Sequence, residues 1–202
     1  LASMINHINL NLPRHIVTIE DPIEFLHNDS RSGVSQREIG IDTESFASAL
    51  RAALRQDPDV ILVGEIRDAE TLEIAMQAAE TGHLVLSTMH TPDVSRTVHR
   101  MMSLAKNPGD LRDRLGDALQ GILAQRLIPK RDGTGLQLVQ EILIASGTAR
   151  EAIKKPDQNV PLKDVMEKGV VPYGMQTFDM HLKALAQAGV ISKEYTRQGP
   201  GF

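Results

Sequence analysis

Asp57-Pro58-Asp59-Val60-Ile61-Leu62-Val63-Gly64-Glu65-Ile66-Arg67-Asp68 is the stretch on which the fold turns. Val60 to Val63 form a run with no polar face, the pattern of a strand covered on both sides in a parallel sheet. That run delivers one carboxylate, Glu65, at its exit. Two further runs end in the same manner: residues 15–19 lead into Glu20-Asp21-Pro22, and residues 83–87 lead into Thr88-Met89-His90-Thr91. Three hydrophobic strands that discharge polar residues at their C-terminal ends describe the active crevice of a parallel α/β nucleotide-hydrolysing domain. A Gly-rich phosphate loop, the part that grips the nucleotide in such domains, is found nowhere in the sequence.

The composition narrows the field. The 202 residues suffice for one sizeable domain, or one domain with an appendage, and 41% hydrophobic with 24% charged residues is ordinary for a globular chain. Two Tyr, four Phe and no Trp leave few platforms for base stacking, and a net charge of −4 supplies no general pull toward nucleic acid or anionic lipid. The absence of cysteine excludes disulfides and Cys-ligated zinc and agrees with a cytoplasmic location. No apolar run reaches the roughly 18 residues of a membrane span. The first residues lack the basic region and long apolar stretch of a signal peptide. Leu1 in place of Met suggests a start inside a longer protein.

Along the chain, residues 2–11 suit the end of a helix closed by Pro13, and 15–19 a short β-branched strand. Residues 22–42 form an irregular excursion with a possible edge strand at 34–39. Thr43 is the expected N-cap of a helix over 45–56, whose buried face is Phe46, Leu50, Ala53 and Leu54. Pro58 separates that helix from the strand at 60–64. A second amphipathic helix over 69–81 presents Leu72, Ala75, Met76 and Ala79 and ends at Gly82, before the strand at 83–87. Strand, helix and strand with such short joints make a right-handed βαβ crossover. Beyond residue 92 the spacing predicts helices at 93–104 and 110–127, a single strand at 136–144 after the turn Asp132-Gly133-Thr134-Gly135, and helices near 148–155, 161–168 and 177–188. The divisions expected are 1–92, 93–145 and 146–202, the last a small helical subdomain. The tail at 198–202 reads as frayed.

Glu65 has two readings. It is either a strand-end glutamate facing solvent or paired with Arg67, or an acid that holds a magnesium aqua-ion or a water beside a γ-phosphate. Glu20 and Asp21 stand at the equivalent exit of another strand, where two carboxylates can divide magnesium positioning and water activation. Asp21 also suits a cap of the turn before Pro22. His83 and His90 lie seven residues apart on one extended run, about 23 Å at 3.3 Å per residue, and on opposite faces, so they cannot share a metal ion unless the strand breaks. His90 and Thr88 lie at the C-terminal end, where ligands bind, and His90 is placed to donate to a phosphate oxygen. His83 lies at the other end, where a structural or subunit contact is favoured. Arg37, Arg51, Arg55, Arg67, Arg96, Arg100 and Arg126 are candidates for phosphate or inter-subunit contacts, although any one is more often a solvated charge. Gly-x-Ser-x-Gly and His-Glu-x-x-His are both missing, so elbow-type serine hydrolases and zincins have no support.

Together these runs resemble one family. Ile19-Glu20-Asp21-Pro22-Ile23-Glu24-Phe25 resembles its aspartate box, Gly64-Glu65-Ile66-Arg67-Asp68 its atypical Walker B, and Thr81-Gly82-His83-Leu84 through Met89-His90-Thr91 its histidine box. This is the secretion-ATPase superfamily that drives type II secretion and type IV pili. The resemblance continues through Gln36-Arg37-Glu38 and Ala124-Gln125-Arg126-Leu127 to Gly174-Met175-Gln176-Thr177-Phe178-Asp179. Assembly and secretion branches usually carry a tetracysteine zinc loop after the Ala-Gln-Arg-Leu segment. Here Ile128-Pro129-Lys130-Arg131-Asp132-Gly133 passes straight through, which favours the retraction (twitching-motility) branch. That branch's Ala-Ile-Arg-Asn signature is present only as the weaker Thr148-Ala149-Arg150-Glu151.

The resemblance implies a RecA-like P-loop NTPase core with a parallel sheet and a small, mostly helical C-terminal appendage. It implies ATP as substrate with Mg2+, and a homo-hexameric ring at an inner-membrane pilus platform protein, cytoplasmic and at most peripherally membrane-associated, with no nucleic-acid partner. By the same resemblance Glu20 orients the attacking water, Glu65 is the magnesium-linked acid acting through water, His90 contacts the γ-phosphate, and Asp21, Arg67, His83 and Thr88 serve nucleotide or inter-subunit contacts. The family's phosphate loop precedes a helix resembling Leu1-Ala2-Ser3-Met4-Ile5, so the chain is expected to begin just after that loop. The strand carrying the loop lies inside the family's sheet, so two unpaired ladder edges or an apolar gap are expected without it. Pilus assembly, type II secretion and conjugation ATPases, or a non-catalytic scaffold subunit, are the alternatives.

Overall fold

The structure, a computed structural model, describes residues 1–197. The predicted fraying at 198–202 lies outside the described residues. The chain divides into two compact units, one of Leu1–Met89 with Leu104–Lys106, the other of His90–Ser103 with the residues from Asn107 onward.

The first unit is built on four parallel strands in the order β2-β1-β3-β4, with β1 at His15–Glu20, β2 at Gly33–Glu38, β3 at Val60–Val63 and β4 at Leu84–Ser87. This is the α/β class with a parallel sheet that the sequence implies. Every residue of β3 is buried, as its unbroken apolar run requires. Alternation sends Val60 and Leu62 to one face, where they join Ile5 and Ile16 in a core also touched by Ile8, Val34 and Leu86. Ile5 and Ile8 belong to α1 (Ala2–Asn11), which ends before Pro13 as predicted. Helices α2 (Phe46–Ala53) and α3 (Ala69–Glu80) supply the buried Leu50, Ala53, Leu72 and Ala75. Asp68 caps α3 by accepting from the Thr71 amide at 2.8 Å, and Gly82 follows its C-terminus at φ +101, a backbone angle that suits glycine.

The first helix cap departs from expectation. Ser45, not Thr43, accepts from the Ser48 amide, at 3.1 Å, because Thr43 is bridged to Ile39 and its carbonyl takes the Gly40 amide at 2.8 Å. On the outer side of β4 no further strand is paired among the described residues, and Leu84 is 39% exposed. No gap interrupts the four strands.

The second unit corrects the sequence more substantially. The predicted helix over 110–127 stops at Ala118 in α5 (Pro108–Ala118), and Leu119 turns extended at ψ 135. Gly121–Pro129 is then a strand, β5, in antiparallel register with β6 (Leu136–Ile144), so a hairpin replaces the single strand expected. Among the described residues β5 has no partner but β6, so, like β4, it is paired on one side only. The other helices are α4 (Val94–Leu104), α6 (Gly147–Lys154), α7 (Leu162–Lys168), the short kinked α8 (Val170–Tyr173) and α9 (Phe178–Gln187). The Gly-Met-Gln-Thr-Phe-Asp segment is structural throughout: Met175 and Phe178 are buried, Gln176 bridges Ile142, Thr177 caps α9 and Asp179 pairs with Lys163 at 2.7 Å.

Candidate functional site

The register aligns Ile19, Val63 and Ser87, so β1, β3 and β4 leave the sheet at one level. Glu20, Gly64 and Thr88 follow at that rim. The Gly64 amide donates to the Ile19 carbonyl at 2.8 Å, and the Thr88 hydroxyl donates to the Gly64 carbonyl at 2.6 Å. The Ile66 amide donates to the Thr88 carbonyl at 3.1 Å. These bonds carry the ladder past the strand ends and fix where the next side chains emerge.

Glu65 is 9% exposed, an unusual place for a carboxylate. The Arg67 guanidinium pairs with its Oε1 and also lies 3.8 Å from Asp21 Oδ2. Hydrogen bonding to Glu65, with the nearby Asp21 charge adding to it, lifts the Arg67 pKa above its ordinary value. Arg67, itself 61% exposed, thus joins the two strand exits into one acid–base–acid cluster. The sequence left the Arg67 pairing open as the structural reading of Glu65. The pairing is present, and it coexists with a position at the crevice rim.

Glu20 is held by residues to which the sequence assigned no site role. Its Oε1 accepts from the Thr18 hydroxyl at 2.8 Å and from Gln36 Nε2 at 3.1 Å, and Gln36 also donates to the Phe25 carbonyl at 2.9 Å. Glu38 accepts from the Ile23 amide at 2.9 Å and so ties the loop after Asp21 to the end of β2. Ser87 was missed as well. Its hydroxyl is buried at the end of β4 with no hydrogen-bond partner, a donor without an acceptor beside the rim.

The two histidines are not brought to this rim by the first unit. His83 precedes β4, at the opposite end of the sheet. Its Nδ1 lies 2.9 Å from the Ala78 carbonyl, which can only accept, so this nitrogen carries the hydrogen and His83 closes the last turn of α3. His90 opens the second unit. Arg126 also belongs there, with its guanidinium 4.3 Å from the centroid of the Phe178 ring and its Nη2 donating to the Pro92 carbonyl at 3.1 Å.

Among the described residues no three His, Asp or Glu side chains converge to cage a metal ion. Magnesium does not need such a cage, because it is held by one or two carboxylates together with substrate phosphates and waters. Glu65, Glu20 and Asp21, with the Thr88 and Ser87 hydroxyls, are hard oxygen groups of the kind that ion takes.

A parallel α/β sheet whose adjacent strand exits gather carboxylates places a ligand crevice at the carboxyl ends of those strands. The family model described as Type II/IV secretion system protein matches residues 1–169. The chain belongs to that family. It is 44% identical over 200 residues to the Twitching motility protein of Neisseria gonorrhoeae, covering 98% of this chain and 53% of that protein. It is 43% identical over 200 residues to the type IV pilus retraction ATPase PilT of Pseudomonas aeruginosa, covering 98% and 57%. The crystal structure of the pilus retraction motor PilT with bound ADP superposes with a TM-score of 0.86 at 45% identity, over 96% of this chain and 55% of that one. The chain thus spans about half the length of the curated relatives it matches. Among the described residues no helix is long and apolar enough to cross a membrane.

Proposed function

We propose that this chain is the hydrolytic portion of a type IV pilus retraction motor, which couples ATP hydrolysis to pilus shortening. The observation that carries the reading is the Glu65–Arg67–Asp21 cluster beside Glu20 at the common exit of three parallel strands. The similarity to retraction ATPases over nearly the whole chain supports it.

In this reading Glu20, fixed by Thr18 and Gln36, orients and deprotonates the attacking water. Glu65 is the acid on the magnesium side, acting through a bound water. Magnesium, when bound, neutralises charge on the β- and γ-phosphates. Arg67 pairs with Glu65 and reaches Asp21, and so keeps both carboxyl groups aimed at the rim. His90 donates to the γ-phosphate, Thr88 orders the rim, and His83 serves a subunit contact. The phosphate grip comes from a loop outside these residues. The working assembly is a cytoplasmic homo-hexamer at an inner-membrane platform protein.

Steady-state ATP hydrolysis by the intact protein tests this. Glu65→Gln is expected to lower kcat by about 100-fold or more while the protein stays folded. An unchanged rate removes Glu65 from the chemistry. These 202 residues alone are expected to bind Mg-ATP weakly or not at all, and submicromolar binding would refute the external phosphate grip. Deletion in the source organism should leave pili that assemble but do not shorten. Loss of assembly or of secretion would instead move the protein to a sister branch.

A further inference from the structure

Glu141 is a carboxylate in the middle of β6 and is 8% exposed. Its two oxygens go to the starts of two different helices. Oε1 accepts from the amide of Val94, the first residue of α4, at 3.0 Å. Oε2 accepts from the amide of Phe178, the first residue of α9, at 3.4 Å. Both helix ends are positive, so one buried charge answers two free amides and two helix dipoles.

Arg126 closes the figure from the neighbouring strand. Glu141 is paired in register with Ala124, so Arg126, two residues along β5, lies on the same face. Arg126 packs on the Phe178 ring and donates to the Pro92 carbonyl at 3.1 Å. Phe178 therefore meets both Glu141 and Arg126, and these two hold Val94 and Pro92 on either side of Asp93. Local bonds stiffen the same segment: the Thr91 and Thr97 hydroxyls lie 2.6 Å apart, Thr97 Oγ1 donates to the Asp93 carbonyl at 2.8 Å, and Asp93 Oδ1 takes the Arg96 amide at 2.8 Å. His90 stands two residues before Pro92 on this clamped backbone.

We propose that Glu141 and Arg126 are positioning residues that fix His90 for its phosphate contact, with Phe178 at the start of α9 as their common anchor. This rests on the reading of His90 given above. It assigns Arg126, a candidate for phosphate or inter-subunit contact in the sequence, to a task within its own unit. It also explains why three separated segments, around Arg126, Glu141 and Phe178, belong to one device.

The test uses the intact protein with Mg-ATP. In Glu141→Gln the single remaining carbonyl oxygen cannot serve both helices as the carboxylate does. Arg126→Met removes the bond to Pro92, and Arg126→Lys restores a donor and a charge over the ring. Glu141→Gln and Arg126→Met are expected to lower kcat about tenfold, with KM changed less than about twofold, because a displaced group loses transition-state contacts. Amide hydrogen exchange over residues 91–97 should accelerate in both while that of the parallel sheet stays as in the wild type. Arg126→Lys should recover at least half of the lost rate. Unchanged exchange over 91–97 overturns the clamp. Faster exchange with unaltered kcat overturns its role in positioning His90. A wild-type protein that turns over no ATP overturns the functional reading beneath it, and the exchange rates still judge the clamp by themselves.

Discussion

Gly64 lies against Ile19 so closely that a Cβ added to it would stand 3.2 Å from the Ile19 carbonyl oxygen and 3.5 Å from Glu20 Cα. The neighbour is interior strand backbone, which has little room to give. Gly64→Ala is therefore expected to destabilise the chain by about 1–3 kcal/mol and to push Glu20 away from Thr18 and Gln36. Denaturant unfolding measures the first effect. The second predicts a larger fractional loss of ATP turnover than of stability, read as kcat under conditions where the variant is folded.

Asp59 ties the start of β1 to the start of β3. It accepts from the His15 amide at 2.8 Å and from Arg14 Nη1 at 3.0 Å, and these bonds, the His15 amide first, hold its pKa below the ordinary 3.8. A carboxylate whose folded pKa is depressed adds stability that is complete above the unfolded value and vanishes as pH falls through the folded one. Asp59→Asn should thus lower stability near neutrality by about 0.5–1 kcal/mol, a modest figure because the pair is solvent-screened. The gap between wild type and variant should close as pH drops below 3.8. Thermal melts across the acid range check this, and a gap that widens toward low pH would contradict it.

Arg150 belongs to the weak Thr148-Ala149-Arg150-Glu151 signature, and its side chain faces inward. It donates to the Gly116 carbonyl at 2.7 Å, to the Asp117 carbonyl and to the Ala145 carbonyl at 3.0 Å, which staples the end of α5 to the start of α6. Arg150→Ala is expected to cost about 1.5–3 kcal/mol, the range for hydrogen bonds to a charged group. Lysine should recover less than half of that loss, since an ammonium cannot fork across three carbonyls. Chemical unfolding of the three proteins in parallel decides it.

The centre of the first unit's sheet was readable because β1 and β3 carry their environment in their own residues. Val60 to Val63 are apolar on both faces, and the polar residues that follow mark the rim. What lay beyond the sequence depended on register. Gln36 holds Glu20 because it is paired with Thr18 across β1 and β2, a neighbourhood that no local spacing announces. The choice of Ser45 over Thr43 as a helix cap was likewise made by a bridge to Ile39. In the second unit, Leu115, Leu119, Leu123 and Leu127 repeat every fourth residue and imitate a helix face. Only pairing with β6 makes 121–129 a strand, and it leaves Leu123 and Leu127 more than half exposed. Glu141 was invisible for the same reason, since its partners are 47 and 37 residues away.

The open side of β4 bears on how this protein must be handled. Among the described residues no strand pairs with its outer side, and such an edge is a template along which two copies at high concentration can zip together. Turbidity or slow precipitation of the isolated chain would then report on one seam and not on a poor core. A synthetic extended peptide that pairs with Leu84–Ser87 would compete with such self-association and restore clarity to the solution.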